Sequence, residues 1–272
     1  MALGFSEMER VLMEQLRLYH HPVAITWLFS DEAVKEFKAA APHIVPVKPL
    51  TFCQWELATR MQGRTVLGTR ETLACSSARI TFGWQEIDAK EISSHLKYCD
   101  DAEQAERFLR AKPRLPEGLK AVGVSPLGKA KMRPDVVHFY CDNIQSYHLS
   151  VDYMAATNTH PLRPMVCVSS AACGGAVFCW NEKTFNLCPA CVGGYNSGKT
   201  ERGEVNAFVP GEHIELVVNR LLERVKRSGG SGFSRAGDAF PGGDICKNCP
   251  LIIFKEGEAG DGVCSSCHAK NI

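Results

Sequence analysis

The chain of 272 residues is 45% hydrophobic and 22% charged, a balance ordinary for a globular protein that buries one large core or two smaller ones. Its 31 basic and 30 acidic residues, spread along the chain, leave a formal net charge of +1. That excludes the strongly basic field that drives binding to nucleic acid or anionic membrane, so partner choice rests on local sites.

The first helix pattern, MALGFSEMERVLMEQL, is broken by Glu7, Glu9 and Arg10, unlike the apolar middle of a signal peptide. The longest uncharged stretch, residues 165–180, is too short and too rich in Ser, Gly and Ala to span a bilayer. A cytosolic protein is expected. Thirteen cysteines in a reducing compartment then point to metal ligation or thiol redox chemistry, and not to a disulfide framework. For isolated cysteines such as Cys99 and Cys141, burial as a small hydrophobe competes evenly with ligation.

Ser6 is placed to cap a first helix, with Met8, Val11, Leu12 and Leu16 on one face. His20-His21-Pro22 ends it, and adjacent histidines diverge too far to favour a shared metal. Residues 23–27 read as a strand, Ser30 opens a short helix, residues 52–62 form a helix with Cys53 at its start, and residues 65–67 form a second strand. Cys75 follows in a serine-rich segment. A cysteine at a helix N-terminus is favoured as thiolate by the backbone dipoles, which makes Cys53 and Cys75 candidate ligands or nucleophiles.

Residues 101–111 predict a helix with an acidic start, residues 119–124 and 136–140 core strands, and residues 144–156 a helix. Residues 165–169 are a further strand candidate, 205–209 another, and 211–227 carry an apolar stripe at helical spacing. The alternation predicts an α/β or α+β fold: a mixed sheet core with flanking helices plus a small C-terminal metal-ribbon tail. The expected organisation is a cysteine-rich core over 1–227, a Gly/Ser-rich linker over 228–244, and the tail over 245–272.

The tail holds Cys246-Lys-Asn-Cys249 and, fourteen residues on, Cys264-Ser-Ser-Cys267. Each two-residue gap makes a tight turn that aims two thiolates at one ion, so this is a zinc-ribbon or rubredoxin-like pattern for zinc or iron, the metal supplying the folding free energy. A third pair, Cys188-Pro189-Ala190-Cys191, reads as a redox dithiol or half of a metal site. Cys167, Cys173 and Cys179 fall at six-residue intervals that match no ferredoxin run, so a core cluster would recruit distant ligands. Gly193 to Thr200 satisfies the phosphate-loop pattern, but Pro189 breaks the strand before it, and Gly203 with Pro210 leaves little room for the helix after it. Trp55, Trp84 and Trp180, each near a cysteine, read as core packing.

The chain resembles the domain-of-unknown-function 169 family, a group of uncharacterised bacterial and archaeal proteins. The residues that carry the resemblance are Pro22-Val23-Ala24, Cys53 with its helix and Gly63, Glu71-Thr72 with Cys75, and Arg133-Pro134-Asp135-Val136-Val137. Cys167, Asn186-Leu187-Cys188, and Glu204 before Pro210-Gly211 complete it, over about residues 5–226. The resemblance implies a shared fold and a shared cysteine site, brings no established reaction, and leaves the tail as an addition to the family core.

The expectation is a cytoplasmic metalloprotein whose Cys53, Cys75, Cys167 and Cys188, with Cys191 as substitute, hold an iron–sulfur cluster or a reactive thiolate centre. Cys246, Cys249, Cys264 and Cys267 would hold a second metal. A redox protein or a small molecule is the expected partner, with homo-oligomerisation open. The alternatives are a non-catalytic zinc-binding interaction module and a P-loop nucleotide-binding protein.

Overall fold

The computed structural model describes residues 3–167 and 169–228, and the tail with its four cysteines lies outside the described residues. The chain runs α1 (Phe5–Gln15), β1 (Val23–Leu28), α2 (Asp31–Ala40), α3 (Phe52–Gln62), β2 (Val66–Thr69), α4 (Ser76–Thr81), α5 (Ala89–His95) and α6 (Ala102–Arg110). It continues through β3 (Ala121–Pro126), β4 (Val136–Cys141), α7 (Asn143–Thr157), α8 (Ala171–Glu182), β5 (Asn186–Pro189), α9 (Val192–Tyr195), β6 (Val205–Pro210) and α10 (Ile214–Ser228). None of these helices is long and apolar enough to cross a membrane.

The strands form one six-stranded sheet, order β2-β3-β1-β4-β6-β5, and every neighbouring pair is antiparallel. Of the two fold classes the sequence allows, this is α+β with helices on both faces. β1, β3 and β4 are buried along their whole length, which explains why they read as continuous apolar runs without alternation.

Alternate residues of each strand divide the core between the two faces. On one, Val23, Ile25, Trp27, Val122 and Val124 pack with Phe52 and Trp55 of α3, Ala78 of α4, and Ala172, Ala176 and Val177 of α8. On the other, α2 sets Phe37 against Leu28, Leu67 and Ala121. α10 packs on α7 and α1 there. Trp55 and Trp84 are core residues as expected, Trp55 fully buried and Trp84 donating from Nε1 to the Leu119 carbonyl at 2.7 Å, whereas Trp180 is only partly buried against that core.

Local signals placed most ends correctly. Ser30 accepts from the Ala33 N–H, Thr51 and Gln54 close a capping box on α3, and Asp142 with Gln145 closes another on α7. Two expectations fail. Gly4, not Ser6, occupies the first N-cap, with no side-chain bond. The described part of 165–169 joins no strand: the edge beside β6 is taken by β5, and the Met165 N–H donates to the Asn186 side chain at 2.7 Å.

α8 had no helical signature because it is buried nearly all round, so no polar stripe marks it, and its two glycines lower its propensity. The glycines permit its close seat. A Cβ on Gly175 would stand 2.3 Å from the Phe208 ring, which is fully buried and stacked on His138 with centroids 4.1 Å apart.

A buried polar chain crosses from α3 to the sheet. Glu56 accepts from the Tyr140 hydroxyl at 2.7 Å and lies 2.6 Å from His138 Nδ1, while His138 Nε2 meets Asn206 Oδ1 at 3.0 Å. Arg60 covers the Tyr140 ring and pairs with Glu204 at 2.7 Å. The Gly175→Ala substitution tests how tightly α8 is seated. It should lower unfolding free energy in urea by about 2 kcal/mol, because overpacking against an immobile ring outweighs the ~1 kcal/mol gained in helix propensity.

Candidate functional site

A parallel backbone bridge joins Leu50 to Leu73, with the Leu50 N–H on the Thr72 carbonyl at 2.9 Å and the Ala74 N–H on the Leu50 carbonyl at 2.8 Å. The chain starts α3 one residue after the first partner's neighbour and α4 two residues after Ala74, so the two helices begin side by side. Cys53 is the second residue of α3 and Cys75 the N-cap of α4. α8 packs against both helices and brings Cys173 in its first turn. β5 delivers Cys191 as the N-cap of the single-turn helix α9.

These four cysteines line one cavity of about 490 Å³. Around them stand Ser77, His95, Ser169, Ser170 and Lys199, with Tyr98 and Val192 partly exposed at its edge. Of the expected set, the structure brings Cys53, Cys75 and Cys191 to the cavity. Cys167 and Cys188 do not line it. Cys188 is buried, with its thiol 3.5 Å from the Ala171 carbonyl, and Cys167 lies near Gly174 in the next turn of α8. Cys173 takes a place the sequence did not assign to it, because only a helix through residues 171–182 turns it toward α3 and α4.

Burial is the main cause that pushes the Cys53 and Cys173 thiols well above the usual range, and neighbouring sulfurs add to it: Cys191 and Cys75 for Cys53, then Cys75, Cys53, Cys191 and Cys167 for Cys173. Burial likewise raises Cys167, with Lys112 pulling it back, and pushes Cys188 up to about 12. Cys53 and Cys173 are thus held neutral by burial first and then by neighbouring negative charge, from Glu56 in the case of Cys53 and from the other sulfurs for both. All nine described cysteines are free thiols.

Among the described residues, no group of three or more His, Cys, Asp or Glu side chains is arranged to hold a metal ion. His20 and His21 diverge, His20 toward Glu204 at 3.4 Å and His21 to Glu9 at 3.0 Å. The phosphate-loop letters fold differently from a phosphate loop. Gly193 and Gly194 lie inside α9, and Thr200 leads by a turn into β6, with no helix after it. The Lys199 carbonyl accepts from Arg60 at 3.0 Å.

A second cavity, of about 510 Å³, lies beside Asp135 and Trp180 on the other side of β4 and β6's ends. Asp135 there accepts from the Trp27 N–H at 2.7 Å and from Trp180 Nε1 at 3.2 Å. Its role is to tie strands together, and it carries no cysteine.

The fold and the cysteine cavity define a globular α+β protein with a multi-thiol pocket. The chain belongs to the DUF169 family, described as uncharacterised ArCR, whose model matches residues 11–220. No curated protein matches the chain, and no solved structure does.

The raised thiols fix a pH dependence for the protein stripped of metal. Cys53, Cys141, Cys167, Cys173, Cys179 and Cys188 are all raised in the folded state. Their contribution is therefore complete below the unfolded value of about 8.5 and is lost as pH rises above it, by up to ~1.4 kcal/mol per pH unit for each fully buried thiol. Lys112, whose amine is depressed by burial, works in the opposite direction as a single group. The urea midpoint should fall steadily between about pH 8.5 and 10. A midpoint constant over that range would show that the thiols are not held neutral.

Proposed function

We propose that the protein is a thiolate-ligated iron–sulfur redox protein, with the cluster in the cavity between the starts of α3, α4, α8 and α9. The observation that carries this is the convergence of Cys53, Cys75, Cys173 and Cys191 on one cavity from four separate segments. Cys167, close to Cys173 and Cys191 electrostatically, is the substitute ligand.

The donor set fits such a group. Four soft thiols select iron or another thiophilic metal over hard cations. Their sulfurs are not gathered around one point as a mononuclear ion requires, and a polynuclear cluster holds its ligand sulfurs further apart. A reactive-thiolate reading fits less well, because burial keeps Cys53 and Cys173 protonated unless a cation displaces the proton. When bound, the cluster would supply one-electron transfer.

The chain's own residues complete the picture. Cys53 is the second residue of α3, where the positive end of the helix offsets thiolate charge. Lys199 lines the same cavity and lowers the cost of the Cys53 thiolate. Tyr98 and Val192 at the rim offer an approach for a redox protein or a small-molecule electron partner, in the cytoplasm where thiols stay reduced. The tail cysteines Cys246, Cys249, Cys264 and Cys267 would hold a second metal, zinc or iron, independent of the core.

The test uses the full chain with those four tail cysteines changed to serine, purified without oxygen. Iron and acid-labile sulfide should remain, with visible absorption from thiolate-to-iron charge transfer. Changing Cys53, Cys75, Cys173 or Cys191 to alanine should abolish or deplete them while circular dichroism stays unchanged. A tail-cysteine variant without iron, whose core thiols all titrate as free, would sink the reading and leave zinc in the tail as the protein's metal.

A further inference from the structure

We propose that the same cavity contains a second, separate site, for a small tetrahedral oxyanion, built by Ser77, Ser170 and the first turn of α8, with the charge of Lys112 behind them.

Lys112 is 3% exposed and forms no ion pair with a carboxylate among the described residues. Its ammonium donates to Ser169 Oγ at 3.0 Å, His95 Nε2 at 3.1 Å and Ser77 Oγ at 3.4 Å. A buried cation without a counter-ion is costly, and structures that keep one normally supply an anion. Here the three groups it touches all line the cavity. Glu91 is the acidic residue among the lining side chains, Lys97 and Lys199 outweigh it, and Lys112 stands behind the lining on Ser77, His95 and Ser169.

The lysine sets the hydrogen-bond sense. Lysine can only donate, so His95 Nε2 accepts and its proton sits on Nδ1, 2.9 Å from the Glu91 carbonyl. Ser169 Oγ accepts from Lys112 at 3.0 Å and lies 2.9 Å from His95 Nε2, which accepts from its hydroxyl, so Ser169 holds the lysine and the histidine together behind the cavity wall.

A second observation is independent of Lys112. Ser170 is the N-cap of the twelve-residue helix α8, yet its hydroxyl makes no cap bond. The residue is 3% exposed, lines the cavity, and its Oγ has no hydrogen-bond partner among the described residues. An N-cap serine ordinarily takes one of the first-turn N–H groups. Here the hydroxyl and those N–H groups are both left for a ligand, at the positive end of the helix. Ser169, immediately before it, is held in the left-handed region with φ 47°, a conformation unfavourable for serine that places both hydroxyls at this point.

The donors left for a ligand come from two segments, Ser77 of α4 and the α8 start, and the charge of Lys112, whose three N–H groups go to Ser169, His95 and Ser77, stands behind them. Separate oxygens of a sulfate or phosphate group can meet the two segments. The ligand is therefore a free tetrahedral oxyanion or the terminal group of a substrate, held beside the cysteines.

The site does not depend on the cluster, so it is tested on full-length protein stripped of metal under reducing conditions. Isothermal titration with inorganic sulfate, inorganic phosphate and phenyl phosphate, in chloride of matched ionic strength, should give one site per chain. Lys112→Met should weaken binding about a hundredfold and Ser170→Ala about tenfold, the second without loss of stability. Tighter binding of phenyl phosphate than of phosphate assigns the site to a substrate group, and equal or weaker binding to the free anion. No saturable binding by wild type, or binding unchanged in a folded Lys112→Met or Ser170→Ala protein, would overturn the proposal. Either result leaves the iron and sulfide content of the protein untouched as a separate question.

Discussion

The pairing of Leu50 with Leu73 is the constraint on which the site depends. Two backbone bonds, at 2.9 and 2.8 Å, hold the segment before α3 alongside the segment before α4. Without them the two helices would start at unrelated points on the sheet and Cys53 and Cys75 would not meet. The bridge is reinforced locally: Arg79 Nε donates to the Leu73 carbonyl at 2.7 Å, and Thr72 takes the Thr69 N–H on its side chain at 2.8 Å. Short polar bonds of this kind are individually worth about 1 kcal/mol, but together they leave the two helix starts one arrangement.

Around that fixed pair, electrostatics decides what the cavity can hold. Several buried thiols raise one another, and Lys112 lies among them as a cation. Charging any one thiol in isolation is opposed by burial, whereas charging several against a bound cation is favoured by the same proximity that opposed it singly. Lys112, depressed by burial, is partly restored by the charges of Cys173, Cys167 and Cys75 and in turn draws Cys167 down, so the amine and the thiols are linked through one field. Burial of this kind disfavours a lone thiolate nucleophile.

Much of the framework was legible in the letters. Strands β1, β3, β4 and β6 are β-branched or aromatic runs bounded by turn residues, and Ser30, Thr51, Asp101 and Asp142 each name a helix start. Cys53 was legible for the same reason, since the Thr51 capping box fixes the start of α3, whereas Cys75 is the N-cap of α4 with no capping bond and was placed only by its serine-rich segment. What stayed hidden was α8. A helix buried on all sides has no amphipathic period, and Gly174-Gly175 argues against helix by propensity although both glycines are there for packing. Missing it hid Cys173 and Ser170 together. The buried polar group of Lys112 and His95 had no signal at all: both lie in ordinary polar stretches of sequence, and only the long-range fold buries them.

The positions that carry the family resemblance separate into two kinds of work. Asp135 bonds Trp27 and Trp180, and a Cβ on Gly211 would stand 1.7 Å from the Pro134 carbonyl oxygen, so Arg133-Pro134-Asp135 and Pro210-Gly211 are one corner where β4 and β6 close together. Glu204 serves the fold as well, since its bond to the buried Arg60 anchors α3, and Arg60 in turn holds the Lys199 carbonyl beside the cavity. Asn186 takes the Met165 N–H and so fixes the approach to α8. Only Cys53 and Cys75 among these positions face the cavity itself. The corner, the Arg60 pair and Asn186 determine where α3 and α8 lie, and that placement sets which sulfurs converge. Dispersed family positions suit such a cavity, because its lining cysteines come from four segments and the fold that gathers them must be specified at each.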